Sequence, residues 1–99
     1  MTDTPASTIP NAALDNFDLG SREFVAENNA AALEYFDRAI ATHEAYGDAH
    51  YMRGLTLLRM GRIADGVAAL ERAVQTTDNS ILRGYALTKI AHMTESAGA

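Results

Sequence analysis

The chain has 99 residues, 47% apolar and 21% charged, with 8 basic against 13 acidic side chains and a net charge of −5. That is the balance of one small soluble domain, and it excludes several classes: an acidic surface does not neutralise nucleic-acid phosphates, and a single lysine, Lys89, makes no polybasic patch for an anionic membrane. The absence of cysteine excludes disulfides, thiolate metal sites and cysteine nucleophiles.

Met1 to Pro10, rich in Thr, Ser and Pro, has no periodicity and reads as a disordered tail, leaving a single domain over residues 11–99. The tail lacks the positive start and apolar core of a secretory signal, and no apolar run approaches the ~18 residues that span a bilayer, so a cytoplasmic location is the default expectation. After Pro10 no proline occurs, helix formers dominate, and β-branched residues never alternate with polar ones. The fold class is therefore all-α.

Turn residues divide the helical stretch into five pieces. The first is expected from Asn11 to about Ala26, ending at Glu27-Asn28-Asn29; the second runs from Asn29, read as an N-cap, to about His43. Tyr46-Gly47-Asp48 makes a turn, with Asp48 able to cap a third helix that runs to Met60. Gly61-Arg62 separates it from a fourth helix over residues 63–76, and Thr77-Asp78-Asn79-Ser80 caps a fifth over residues 81–96. Links this short force neighbouring helices antiparallel.

A shift of 34 residues superposes the second helix on the fourth: Ala30 on Ala64, Leu33 on Val67, Phe36 on Leu70, Asp37 on Glu71, Arg38 on Arg72, Ala39 on Ala73 and Ile40 on Val74. The first and third helices obey the same shift, with Phe17 on Tyr51, Gly20 on Gly54 and Phe24 on Leu58. The fifth follows more weakly, with Tyr85 under Tyr51 and Leu87 under Arg53. A 34-residue helix-turn-helix period with small residues at set points resembles the tetratricopeptide repeat family, over roughly residues 13–96. Its strongest fragment is Leu19-Gly20 followed by Ala32-Leu33-x-x-Phe36-x-x-Ala39-Ile40; Arg53-Gly54-x-x-Leu57 with Gly61 comes next. The chain departs from the family at the early tryptophan place (Asn16, His50, Gly84), the closing proline (Glu44, Asp78), the first turn glycine (Glu27), a usual leucine (Arg53) and the third glycine (Thr88).

The resemblance implies a short α-solenoid of stacked antiparallel hairpins, with repeats over about 13–46 and 47–80 and a lone terminal helix at 81–96. It also implies close contacts of Gly20 with Ala32 and of Gly54 with Gly66, and a concave groove lined by the first helix of each repeat. Carried onto this chain, the groove takes Leu14, Phe17, Ser21, Phe24 and Val25, then Asp48, Tyr51, Leu55, Leu58 and Arg59, then Leu82, Tyr85, Lys89, His92 and Met93. The family's carboxylate clamp is missing from that groove, because its places hold Phe17, Ser21, Met52, Leu82 and Ala86.

Catalysis has little to work with. His43-Glu44 begins like a zinc-protease motif, but Tyr46 and Gly47 stand where the second histidine is needed. No phosphate loop and no serine–base constellation exists, and His50 falls at a packing position. No enzyme activity, metal, cofactor or small-molecule substrate is expected. The expected function is a protein-interaction module that takes an apolar peptide or helix, with Phe17, Tyr51, Leu55, Leu58, Leu82, Tyr85, Ile90 and Met93 as the partner-binding residues. On a wheel at ~100° per residue, Ile81, Leu82, Tyr85, Leu87, Ile90 and Met93 span roughly 240°, more than one neighbour covers. The alternative expectation is accordingly an accessory subunit held in a larger assembly, or in a self-associated pair, through its last helix.

Overall fold

The computed structural model describes residues 8–98 and consists of α1 (Asn11–Val25), α2 (Asn29–Thr42), α3 (Gly47–Arg59), α4 (Ile63–Thr76) and α5 (Ser80–Gly98), with no strand among the described residues. Each boundary falls within two residues of the sequence expectation. α1 packs extensively on α2 and α3 on α4; α2 on α3 and α4 on α5 pack less, while α1 touches α3 and α3 touches α5. The same neighbour relations thus recur one repeat later. The result is a short all-α solenoid measuring 53 × 27 × 18 Å.

The hairpins close because small residues sit where helices cross. A Cβ added at Gly54 would lie 2.8 Å from Leu70 Cγ and 3.1 Å from the Gly66 carbonyl oxygen. One at Gly66 would lie 2.7 Å from Leu58 Cδ2 and 3.1 Å from the Gly54 carbonyl oxygen. In the first hairpin, the space a Cβ would take at Gly20 is filled by the Phe36 ring, 2.7–2.8 Å away. Phe36, Leu57 and Leu70 are fully buried, and Ala32, Ala39 and Ala73 let adjoining helices approach.

Two turns repeat the same closure. Asn28 N–H donates to Glu23 O and Glu27 N–H to Phe24 O; 34 residues later Arg62 N–H donates to Leu57 O and Gly61 N–H to Leu58 O. Both are paired C-terminal closures that need a left-handed residue. Gly61 supplies it at φ +83°, while Glu27 adopts φ +65° despite its side chain.

Helix starts differ from the sequence expectation. Asn28 and Tyr46, not Asn29 and Asp48, occupy the N-cap positions of α2 and α3, and neither makes a side-chain cap bond. Asp48 instead lies inside the first turn of α3, where its charge complements the helix dipole. Asn79 does cap α5: its Oδ1 accepts from the N–H groups of Ile81 at 2.9 Å and Leu82 at 3.1 Å. The disordered tail expected over residues 1–10 lies, as far as residue 7, outside the described residues. Ile9 packs against the cluster of Ala13, Ala39, Tyr46 and Ala49.

A left-handed residue with a Cβ costs about 1 kcal/mol, so Glu27→Gly is expected to raise the thermal midpoint. Gly54→Leu is expected to lose about 1–3 kcal/mol or more through overpacking at the hairpin crossing. Thermal and urea melts followed by circular dichroism check both.

Candidate protein-binding surfaces

The residues expected to hold a partner fall in three places. Tyr51 and Tyr85 stand near each other on α3 and α5; burial, with Tyr85 close by, holds the Tyr51 phenol above its ordinary value. Leu55 and Leu82 are half-buried on the same two helices, and Tyr85 is 61% exposed. Phe17 and Leu58 are half-buried and take part in the packing: the Phe17 ring lies 5.2 Å from Tyr46 and 5.8 Å from Phe36, and Leu58 covers Gly66. Ile90 and Met93 face α4. Ile90 lines a cleft with Glu71, Val74, Gln75 and Leu87, and Met93 lines one with Ile63, Ala64, Val67 and Ala68.

Arg59, assigned to the groove by register, is committed to a lock between repeats. Its Nε donates to Asn29 Oδ1 at 2.7 Å and its Nη2 to Phe24 O at 2.7 Å, with the guanidinium 3.7 Å from the centre of the Phe24 ring. One planar group thereby satisfies the end of α1, the start of α2 and an aromatic face. Arg59→Ala is expected to lose about 1–2 kcal/mol of stability. Arg59→Lys should recover little of it, since an ammonium does not hold both bonds and the stack in one plane; denaturant melts of the two variants check this.

His50 is buried at the junction of the repeats, its Nε2 2.8 Å from Glu44 O. Burial lowers its pKa; the bond to Glu44 opposes this, and Arg72 and Arg53 reinforce it. A base with a lowered folded-state pKa is neutral in both states above about pH 6.5 and is protonated preferentially in the unfolded chain below it. Its contribution to stability is therefore lost as pH falls below that value. His50→Asn, which places here the residue type of Asn16, is expected to flatten the decline in melting temperature between about pH 7.5 and about pH 5.5. Melts across that range in one buffer series check the sign.

α5 has a further exposed surface. Ile81, Leu87 and Tyr85 are 50–66% exposed, while Ala86 is its fully buried apolar residue among those described. Arg83 fastens the helix start by donating from Nη2 to Thr77 O at 2.6 Å. No described helix is long and apolar enough to cross a membrane. Register placed Arg59 in the groove but did not signal its tie to Asn29 and Phe24, which lie 30 and 35 residues away.

Comparison with known proteins agrees with the repeat geometry. A family model described as tetratricopeptide repeat matches residues 17–81, from Phe17 in α1 to the second residue of α5. No curated protein and no solved structure matches the chain.

Proposed function

The chain belongs to the tetratricopeptide repeat family, and from that premise we propose that it is a non-catalytic protein-interaction module that takes an apolar peptide or helix along its first-helix groove in the cytoplasm. The observation that supports this reading is the pair Tyr51 and Tyr85 on successive first helices, one half-buried and one 61% exposed. Aromatic side chains held this way present large area at small entropic cost, and Leu55 and Leu82 extend the apolar strip. Affinity comes from buried apolar area, about 25 cal/mol per Å² before the costs of association.

A second reading rests on its own observation. Ile81 and Leu87, exposed on the last helix, fit a subunit held in a larger assembly, or against a second copy, through α5.

One selection separates the two. Peptides recovered from a displayed random library on the immobilised protein are expected to carry apolar or aromatic anchors. Tyr85→Ala should weaken them by about tenfold, within the range of an aromatic anchor, while Leu87→Glu should leave them unchanged. Peptides lost with Leu87→Glu but kept with Tyr85→Ala would move the contact to the last helix. Light scattering over a concentration series on wild type and Leu87→Glu then distinguishes a second copy from another host.

A further inference from the structure

A cleft of about 450 Å³, lined by none of the residues assigned to the groove, lies between the two repeats. Asp37 and Ile40 of α2, His50 and Arg53 of α3, and Ala68 and Arg72 of α4 line it. We propose that this cleft is an anion site for a carboxylate on a short apolar stem, presented by an acidic side chain of a polypeptide or by a small free acid.

Two of the cleft's residues differ in charge from their counterparts 34 positions away, and both differences make the cleft more positive. Arg53 stands where α1 has Leu19 and α5 has Leu87. Ala68 stands where α2 has Glu34, and in that repeat Glu34 takes the Nη2 of Arg38 at 3.0 Å. Arg72, the counterpart of Arg38, therefore lacks the carboxylate one turn before it and, among the described residues, donates to the amide oxygen of Gln75 alone, at 3.2 Å. Relative to a copy of the first repeat, the cleft has gained one positive charge on α3 and lost one negative charge on α4.

The cationic groups keep donors to offer. Asp37 accepts from Nε of Arg53 at 2.6 Å, which steadies the guanidinium across α2 and α3; its Nη1 and Nη2 have no hydrogen-bond partner among the described residues. Asp37 thus engages one nitrogen of one guanidinium. Arg53 of α3 and Arg72 of α4 line the same cleft beside His50, and both act on that buried ring, as does Glu44 with the opposite sign. Terminal guanidinium nitrogens pair with a carboxylate in charge-assisted hydrogen bonds. Ile40 and Ala68 leave an apolar wall beside them, which suits a methylene stem and not a bare, fully hydrated anion. Packing alone asks for neither change, since a leucine fills the Arg53 place in α1 and α5. The site is independent of the groove reading, because it uses none of the groove residues.

The test is NMR titration of the full chain, reading the side-chain Nε–H signals of Arg53 and Arg72. The probes are a capped tripeptide with a central glutamate, its glutamine counterpart, sodium butyrate and inorganic phosphate. The glutamate peptide is expected to shift both signals saturably and the glutamine peptide to shift neither, with binding weakening as salt rises. Butyrate acting as strongly as the glutamate peptide would identify a small free acid as sufficient; a clear preference for the peptide would identify a polypeptide source. Arg53→Leu and Ala68→Glu import residues that the sister repeat already accommodates, and each is expected to weaken binding by about tenfold with an unchanged circular dichroism spectrum. No saturable shift with either carboxylate would overturn the proposal. So would phosphate binding as tightly as both, or binding that survives unchanged in the two variants.

Discussion

The crossing of α3 over α4 is the contact from which the rest of this small protein follows. Gly54 and Gly66 each stand 3.1 Å, by the Cβ they lack, from the other's carbonyl oxygen. That approach lets Leu70 and Leu58 close over the two glycines and brings Leu57 and Leu70 to full burial. A single added methyl would move backbone against backbone, a displacement a flexible side-chain end does not absorb. With the hairpin closed, α3 presents one flank to α2 and another to α5, and the repeat-to-repeat contacts are set. In an array where each unit meets only its neighbours, one such crossing governs both junctions.

The arrangement leaves much of each helix at the surface. A chain of this size buries only part of its apolar area, and an elongated shape of 53 × 27 × 18 Å buries less than a globule would. Stability therefore gathers in the seams and in a few long-range polar ties, of which Arg59 to the α1–α2 turn and Arg53 to Asp37 cross between repeats. The surface outside those seams is available for recognition without cost to the fold. That division is what a repeat scaffold offers an interaction protein.

The fold was legible because its determinants are periodic. Phe36 and Leu70, Gly20 and Gly54, Ala39 and Ala73 are each fixed by a backbone approach that recurs every 34 residues, so spacing alone located them. Non-local matters were less legible. Asn29 has the composition of a cap, yet its side chain accepts from Arg59, 30 residues on, and the cap position falls on Asn28. Glu27 marks the turn correctly by its place, but its left-handed backbone is forced by the two closing hydrogen bonds and not signalled by its type. Among the binding candidates, register placed Tyr51 beside Tyr85, whereas a wheel could not say which neighbour covers a face. Ile90 and Met93 turned out to face α4.

The departures from the repeat are more informative than its observance, because each position has a sister that shows what packing alone requires. Thr88 occupies the place of Gly20 and Gly54 in the last first-type helix. In the two complete hairpins that place admits the side chain of Phe36 or Leu70 to within 2.7–2.8 Å of where a Cβ would be. Thr88 has that Cβ, so a helix laid on α5 in the geometry of α2 on α1 meets it before its large side chain can seat. A helix covering α5 would therefore stand farther off or cross at another angle, and its apolar contacts would fall on Ile81, Tyr85 and Leu87, the side chains α5 leaves exposed. At α5 the chain thus gives up the close approach that closes both complete hairpins while keeping apolar side chains at its surface.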